Sequence, residues 1–156
     1  MKDYLSLDDK MDQLNLSNKI ITNDFDAWEK FKDQRIIYDK LFIAYSQNIK
    51  SGPMGIYPEK YPVIFKPIIN LYGMSRGFKI IRSEQEYNNN IKDGFFWMEY
   101  FPGQQINLDL IVVKGNIKFY SALLSHHNLD GTFDYHQSLP DYQDPDNHMI
   151  FRQKIL

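Results

Sequence analysis

The chain contains no cysteine, which removes disulfides, thiolate nucleophiles and cysteine-type zinc sites. No run of Lys or Arg builds a stripe of one sign. With 18 basic and 20 acidic side chains the formal net charge is -2, so nucleic acid, which is held through its phosphate backbone, is not an expected partner. No apolar stretch reaches the length of a secretory core or a membrane span, and the first ten residues are polar and acidic. The expectation is a cytoplasmic protein without a membrane partner. Repeats and low-complexity tracts are also lacking. Core-forming material is plentiful: apolar residues make up 43% and aromatics 15% of the 156 residues. That suffices for one domain or two small lobes sharing a core, and argues against disorder as the main state.

Residues 1–25 read as a loose or weakly helical lead-in, because Asp8-Asp9-Lys10 and Asp12-Gln13 interrupt scattered leucines. From Asp26 to Ile49, the residues Trp28, Phe31, Ile37, Leu41, Tyr45 and Ile49 recur at helical intervals. They predict one or two amphipathic helices, stopped by Ser51-Gly52-Pro53. Val63 to Lys66 is a β-branched and aromatic run bounded by prolines, and Phe78 to Ile81 follows a glycine-bearing loop. Together they predict a hairpin with a long turn. Ser83-Glu84-Gln85-Glu86 is a capping box that opens a short helix to about Lys92, broken by Asp93-Gly94. Phe95 to Tyr100 reads as a buried strand. Ile106, Leu108, Leu110 and Val112 alternate with Asn107 and Asp109, which predicts a strand with one buried face. Gly115-Asn116 would turn it back into an antiparallel partner, Ile117 to Leu124, and residues 125–156 read as a loop-rich tail. The class is α+β, with an antiparallel sheet and flanking helices.

Three polar features are candidates for chemistry. Lys66 ends a strand, as a snorkelling edge lysine does and as a phosphate-binding lysine also does. The Gly73 to Gly77 loop can be a flexible turn, or a place where backbone amides approach phosphates. Trp97 to Gly103 is an aromatic strand running into a turn. It fits a core strand, or one wall of an apolar pocket for a flat base.

These features and Tyr38-Asp39-Lys40-Leu41 occur in an order that resembles the ATP-grasp superfamily, in the nucleotide-binding region of D-alanine–D-alanine ligase and carbamoyl-phosphate-synthetase-like enzymes. Asp39-Lys40 looks like the Asp-Lys that opens that region. Tyr61 to Pro67 is similar to the family's "PVIVKP" strand, and Gly73 to Ile81 to its glycine-rich loop and following strand. Met98 to Gln105, with Leu108 to Val112 behind it, resembles the "EYIPGEEYSVDVLV" segment. The likeness covers Tyr38 to Leu124 and sets residues 26–124 apart as an ATP-grasp-like nucleotide-binding region.

The resemblance implies that Lys40 and Lys66 contact the α- and β-phosphates of ATP, and that Gly73, Ser75, Arg76 and Gly77 close over them. It further implies that Met98, Glu99, Tyr100 and Phe101 form the hinge beside adenine, with Gln105 where the family places a glutamate on the ribose. Glutamine accepts a weaker hydrogen bond there, so retained but weakened ATP binding is expected. The implied activity is an ATP-dependent ligase joining a carboxylate to an amine or thiol through an acyl-phosphate, with Mg2+ as cofactor and a small carboxylate as substrate. In the family a late Glu-x-Asn pair holds magnesium; no Glu-x-Asn follows Leu124. Asp134, Asp141, Asp144, Asp146 and Arg152 are the remaining charged candidates. The expectation is therefore a second lobe that is incomplete over residues 125–156, explained by a shortened gene product, by a split enzyme completed by a second chain or another copy of this one, or by a retired binding module. The alternative is a non-catalytic nucleotide-binding or protein-interaction module on a degenerate scaffold of this type.

The histidines offer less. His126 and His127 are adjacent and would point to opposite faces of a strand, and His136 and His148 lack the spacing of a zinc helix. Asp141, Asp144 and Asp146 imitate the start of a calcium loop without its glycine and closing glutamate. No metal-ligating residue is assigned.

Overall fold

The computed structural model describes residues 11–16, 21, 23–73, 75–114, 116–128, 131 and 133–139, and of Val113 and residues 117–120 only the backbone. Its class is α+β, with two antiparallel sheets and few helices. Contacts divide the chain into two units. One comprises Ile21–Gly103 with His127–Asp134; the other comprises Gln104–His126 with the described parts of Met1–Ile20 and Tyr135–Leu156. Residues 11–13 of the lead-in are helical.

In the first unit, helix α1 (Asp24–Lys30) starts where Asn23 Oδ1 accepts the amides of Phe25 and Asp26 at 2.8 and 3.3 Å. A 3-10 helix (Lys32–Tyr38) and helix α2 (Lys40–Ser46) follow, the latter capped by Asp39 on the amide of Phe42 at 2.8 Å. The apolar stripe expected from Asp26 to Ile49 needs correction, because its members do not form one buried line. Phe31, Ile37 and Tyr45 are 44%, 61% and 50% exposed. A 3-10 segment turns every three residues, so it throws the 3.6-residue stripe out of phase between the two α-helices.

Strands β1 (Ser51–Pro53), β2 (Val63–Pro67), β3 (Lys79–Ile81) and β4 (Phe95–Glu99) form one sheet in the order β1-β4-β2-β3, every neighbour antiparallel. Ser51-Gly52-Pro53 is thus an edge strand rather than a helix stop. Chain reversal has already occurred at Asn48, which has φ 57°. Gly52 lies so close to Trp97 that a Cβ would sit 2.9 Å from the indole nitrogen, and only glycine fits there without a shift. The β2–β3 hairpin forms as the sequence predicts.

Helix α3 (Glu84–Asn88) is capped by Ser83, whose Oγ accepts the amide of Glu86 at 3.2 Å. The return bond differs from the expected box: Glu86 accepts from the amide of Arg82 at 2.8 Å. The helix also ends before Lys92. Asn90 Nδ2 donates to the carbonyl of Glu86 at 2.7 Å and takes the place of a continuing backbone donor.

Each face of this sheet has its own core. Val63, Phe65, Ile81, Tyr87 and Trp97 are buried on one side, with Met54 and Tyr61 against them. There the Trp97 Nε1 and the Tyr87 hydroxyl both donate to the carbonyl of Ile56, at 2.6 and 3.0 Å. The same hydroxyl accepts the amide of Gly55 at 3.0 Å. A second cluster joins Ala44 of α2 to Phe96 and Met98, with Leu41, Ile49, Ile64 and Ile68 around it.

The other sheet orders β5 (Gln105–Val113), β6 (Asn116–His127) and β7 (Phe133–Ser138) in sequence. Here the expectation of one buried face on β5 is corrected. Ile106 and Val112 are 38% and 45% exposed, whereas Ile111 is 4% exposed. Ile106 and Val112 share the face that the alternation marked for burial, and it is the opposite face, with Ile111, that is covered. The register also shifts between Ile111 and Val112, where β6 carries one extra residue, Lys118. Ser121 and Ser125, opposite Asp109 and Gln105, are buried too. Val113 pairs with Asn116, so the chain reverses one residue earlier than Gly115-Asn116 suggests, with Lys114 at φ 49°. The tail is also more ordered than expected: β6 runs on to His127, and Asp134 lies within β7. Asp141, Asp144, Asp146, His148 and Arg152 lie outside the described residues. Among the described residues no helix is long and apolar enough to cross a membrane.

Candidate functional site

On β2 the side chains alternate, so Val63 and Phe65 go to one core and Ile64 and Lys66 to the opposite face. Lys66 stands directly across from Phe96, with its Nζ 5.7 Å from the ring centroid. The chain leaving β2 is tied to α2: the Lys40 amide donates to the carbonyl of Ile68 at 2.9 Å. That bond brings the first residue of α2 to a point two residues beyond Lys66. Burial, and after it the charge of Lys40, pulls the Lys66 ammonium from 10.5 down to about 8. Lys40 is itself lowered by burial, against an opposing pull from Asp24. Asp24 also accepts from the Tyr38 hydroxyl at 3.5 Å. Burial first, and this carboxylate second, raise the Tyr38 phenol. Neither lysine has a carboxylate within salt-bridge distance among the described residues. A half-buried ammonium that feels a second one and has no such carboxylate beside it is a poor arrangement for stability and a good one for an incoming polyanion.

The glycine loop is built by local bonds. Asn70 accepts the amide of Tyr72 and donates to the carbonyl of Gly73, both at 3.0 Å. Gly73, Ser75 and Gly77 have φ of 61°, 50° and 77°. A Cβ on Gly77 would come within 3.0 Å of the Phe95 ring, which fixes this position as glycine by space as well as by backbone. The Arg76 guanidinium lies 5.1 Å from the Tyr72 ring, and Tyr72 meets Phe25 of α1 edge-on at 5.0 Å. Met74 lies outside the described residues.

In the expected hinge, Met98 is buried opposite Ile64, on the same face as Lys66. Glu99 stands opposite Val63 on the other face and is exposed. Tyr100 is half-buried and Phe101 is 56% exposed. Gln105 belongs to the other unit, where its Nε2 donates to Asn107 at 2.9 Å. Of the residues singled out in the sequence, the fold brings Lys40, Lys66 and Met98 to one face of one sheet. Phe96 joins them there, and Asp24, which accepts from Tyr38, acts on Lys40 through its charge; none of these three was a candidate. Tyr38 had a signal in the sequence as part of the Tyr38-Asp39-Lys40 motif and Phe96 as part of the aromatic strand Phe95 to Tyr100, whereas Asp24 had none.

The histidines take other partners. His126 stacks on Tyr135 at 4.3 Å and contacts Gln137 at 3.0 Å, and His127 meets Phe133 edge-on. His136 Nδ1 lies 3.1 Å from Ser125 Oγ. Among the described residues no three His, Asp or Glu side chains gather as a metal-binding group.

Compared with known proteins, the chain matches no family model, no curated protein and no solved structure.

Proposed function

We propose that the Ile21–Gly103 unit grips the phosphates of ATP in the manner of an ATP-grasp lobe, as the nucleotide-binding part of a carboxylate–amine or carboxylate–thiol ligase acting through an acyl-phosphate. One observation carries the reading: Lys40 and Lys66, 26 positions apart in sequence, are brought together by the 2.9 Å bond from the Lys40 amide to the Ile68 carbonyl, and the charge of Lys40 reaches Lys66. Triphosphate would relieve their repulsion and restore the solvation that burial removes. Among the described residues no carboxylate cluster stands ready for magnesium. Magnesium would arrive with the nucleotide.

Calorimetric titration with ATP, with and without magnesium, tests this on the native chain and on Lys66→Ala. Saturable binding that weakens at least tenfold in the variant supports the reading, and equal binding in both would overturn it. ADP release that requires an added carboxylate would establish the ligase half. A second reading is a nucleotide-binding or protein-interaction module without turnover. It is favoured by the lack of a Glu-x-Asn after Leu124 and predicts that bound ATP persists unhydrolysed.

A further inference from the structure

The face of the sheet opposite Lys66 carries a second opening. Phe65, Gly77, Lys79, Asn90, Lys92 and Phe95 line an open cavity of about 150 Å3. Its apolar wall is the ring pair Phe65 and Phe95, one from each of two adjacent strands. Its polar rim is cationic. Lys79 pairs across the ladder with Phe65, so its side chain leaves on the same face. Its ammonium donates to Asn90 Oδ1 at 2.6 Å, and Asn90 is anchored in turn by its bond to the Glu86 carbonyl. That chain of bonds fixes one ammonium at the mouth and leaves it protons to donate elsewhere. The Lys92 ammonium is 4.7 Å from the Phe95 ring centroid. Neither lysine has a carboxylate within salt-bridge distance among the described residues.

We propose that this cavity binds a small aromatic carboxylate, one ring against Phe65 and Phe95 and the carboxylate between Lys79 and Lys92. Size selects the body of the ligand: an apolar-walled space of roughly 150 Å3 takes a single six-membered ring. Charge selects its head, because two ammonium groups beside low-dielectric rings favour one anion over a neutral group of the same shape. The site lies away from Lys40 and Lys66, and it takes in Gly77, which the family resemblance sets over the phosphates. Lys66 lies on the other side of the same strand, so a carboxylate held here is not presented to a nucleotide bound at Lys40 and Lys66. The ligand is therefore an effector or cargo of this face, and it does not depend on the nucleotide reading.

Benzoate is the probe, followed by calorimetry or ligand-detected NMR on the whole chain. Saturable binding with Kd of about 1 mM is expected, in keeping with so few ligand atoms. Benzamide should bind roughly tenfold more weakly, and so should benzoate to Lys92→Gln. Asn90→Asp places a carboxylate on the Lys79 ammonium and should weaken benzoate by a similar factor, while a thermal melt checks that the variant is folded. Lys66→Ala should bind benzoate as the native chain does, and ATP should not displace it. The proposal is overturned by non-saturable benzoate binding, by benzamide binding equally well, by a folded Asn90→Asp with native affinity, or by displacement with inorganic phosphate alone.

Discussion

The two faces of the four-stranded sheet are built from the same strands and are finished differently. On the face of Phe65, Tyr87 and Trp97, the polar atoms of Tyr87 and Trp97 converge on the Ile56 carbonyl and the Gly55 amide, and only the Tyr61 hydroxyl among the described groups of this core is buried without a partner. On the face of Ile64 and Phe96, the cluster with α2 carries Lys66 at its border, with a second lysine for a neighbour. The first core is satisfied apart from the Tyr61 hydroxyl, with its cations, Lys79 and Lys92, kept exposed at the rim, whereas the second has like charge at its own border. Such an excess of like charge persists in a fold only when the rest of the structure outweighs it, and a site for an anion gives it a use.

The contrast can be broken most forcefully from the satisfied side. Tyr87→Ala removes a fully buried ring from the centre of that core and should cost about 3–5 kcal/mol, measured by denaturant unfolding. On the side of Lys66 the sign should reverse. Lys66→Met keeps the apolar stem and removes the charge, and should raise stability at pH 7 by on the order of 1–2 kcal/mol. The pH dependence sharpens this. The folded Lys66 titrates at about 8 and an ordinary lysine at 10.5, so above pH 8 the unfolded chain holds a proton that the folded one has released. Native stability should therefore rise with pH from 8 toward 10, and the advantage of Lys66→Met should shrink over the same window. Above pH 10 the raised phenols of Tyr38, Tyr61 and Tyr87 act in the opposite direction. ATP affinity should follow the opposite course and fall roughly tenfold between pH 7 and 9 as Lys66 loses its proton. Opposite trends of stability and affinity from one ammonium would be hard to obtain from any other arrangement.

A smaller effect tests the local scaffolding. Ser83→Ala leaves the Glu86 amide without its side-chain acceptor and should cost about 1 kcal/mol in a thermal or denaturant melt. Smaller still, Asp24→Asn removes the carboxylate that opposes an incoming phosphate near Lys40, and should tighten ATP binding roughly threefold at low salt.

The parts of this fold that were legible in the sequence are those whose cause is local. Val63 to Lys66 and Phe95 to Tyr100 announce themselves by β-branched and aromatic density, and Ser83 by its place before a helix start. What was hidden depends on distant partners. Ser51-Gly52-Pro53 has little strand propensity and becomes β1 because β4 pairs with it and the Trp97 ring needs a glycine there. In Phe133 to Ser138 only Phe133 and Tyr135 alternate with polar residues, too short a pattern to announce a strand, yet the segment extends the second sheet. The extra residue of β6 opposite Ile111 and Val112 cannot be read from the alternation of β5, which it leaves unbroken. The same division holds at the candidate site. Lys40 and Lys66 could be named from motifs, but the approach of Asp24 and the seating of Lys66 across from Phe96 are tertiary facts.

The outer strands of the four-stranded sheet are short. β1 and β3 have three residues each, and β1 ends in a proline that has no amide hydrogen to offer. Lys79 stands exposed on the other border. A passing extended chain finds almost no ladder to copy along either margin, so crowding or partial unfolding elsewhere should not recruit this sheet as a template for fibrous growth.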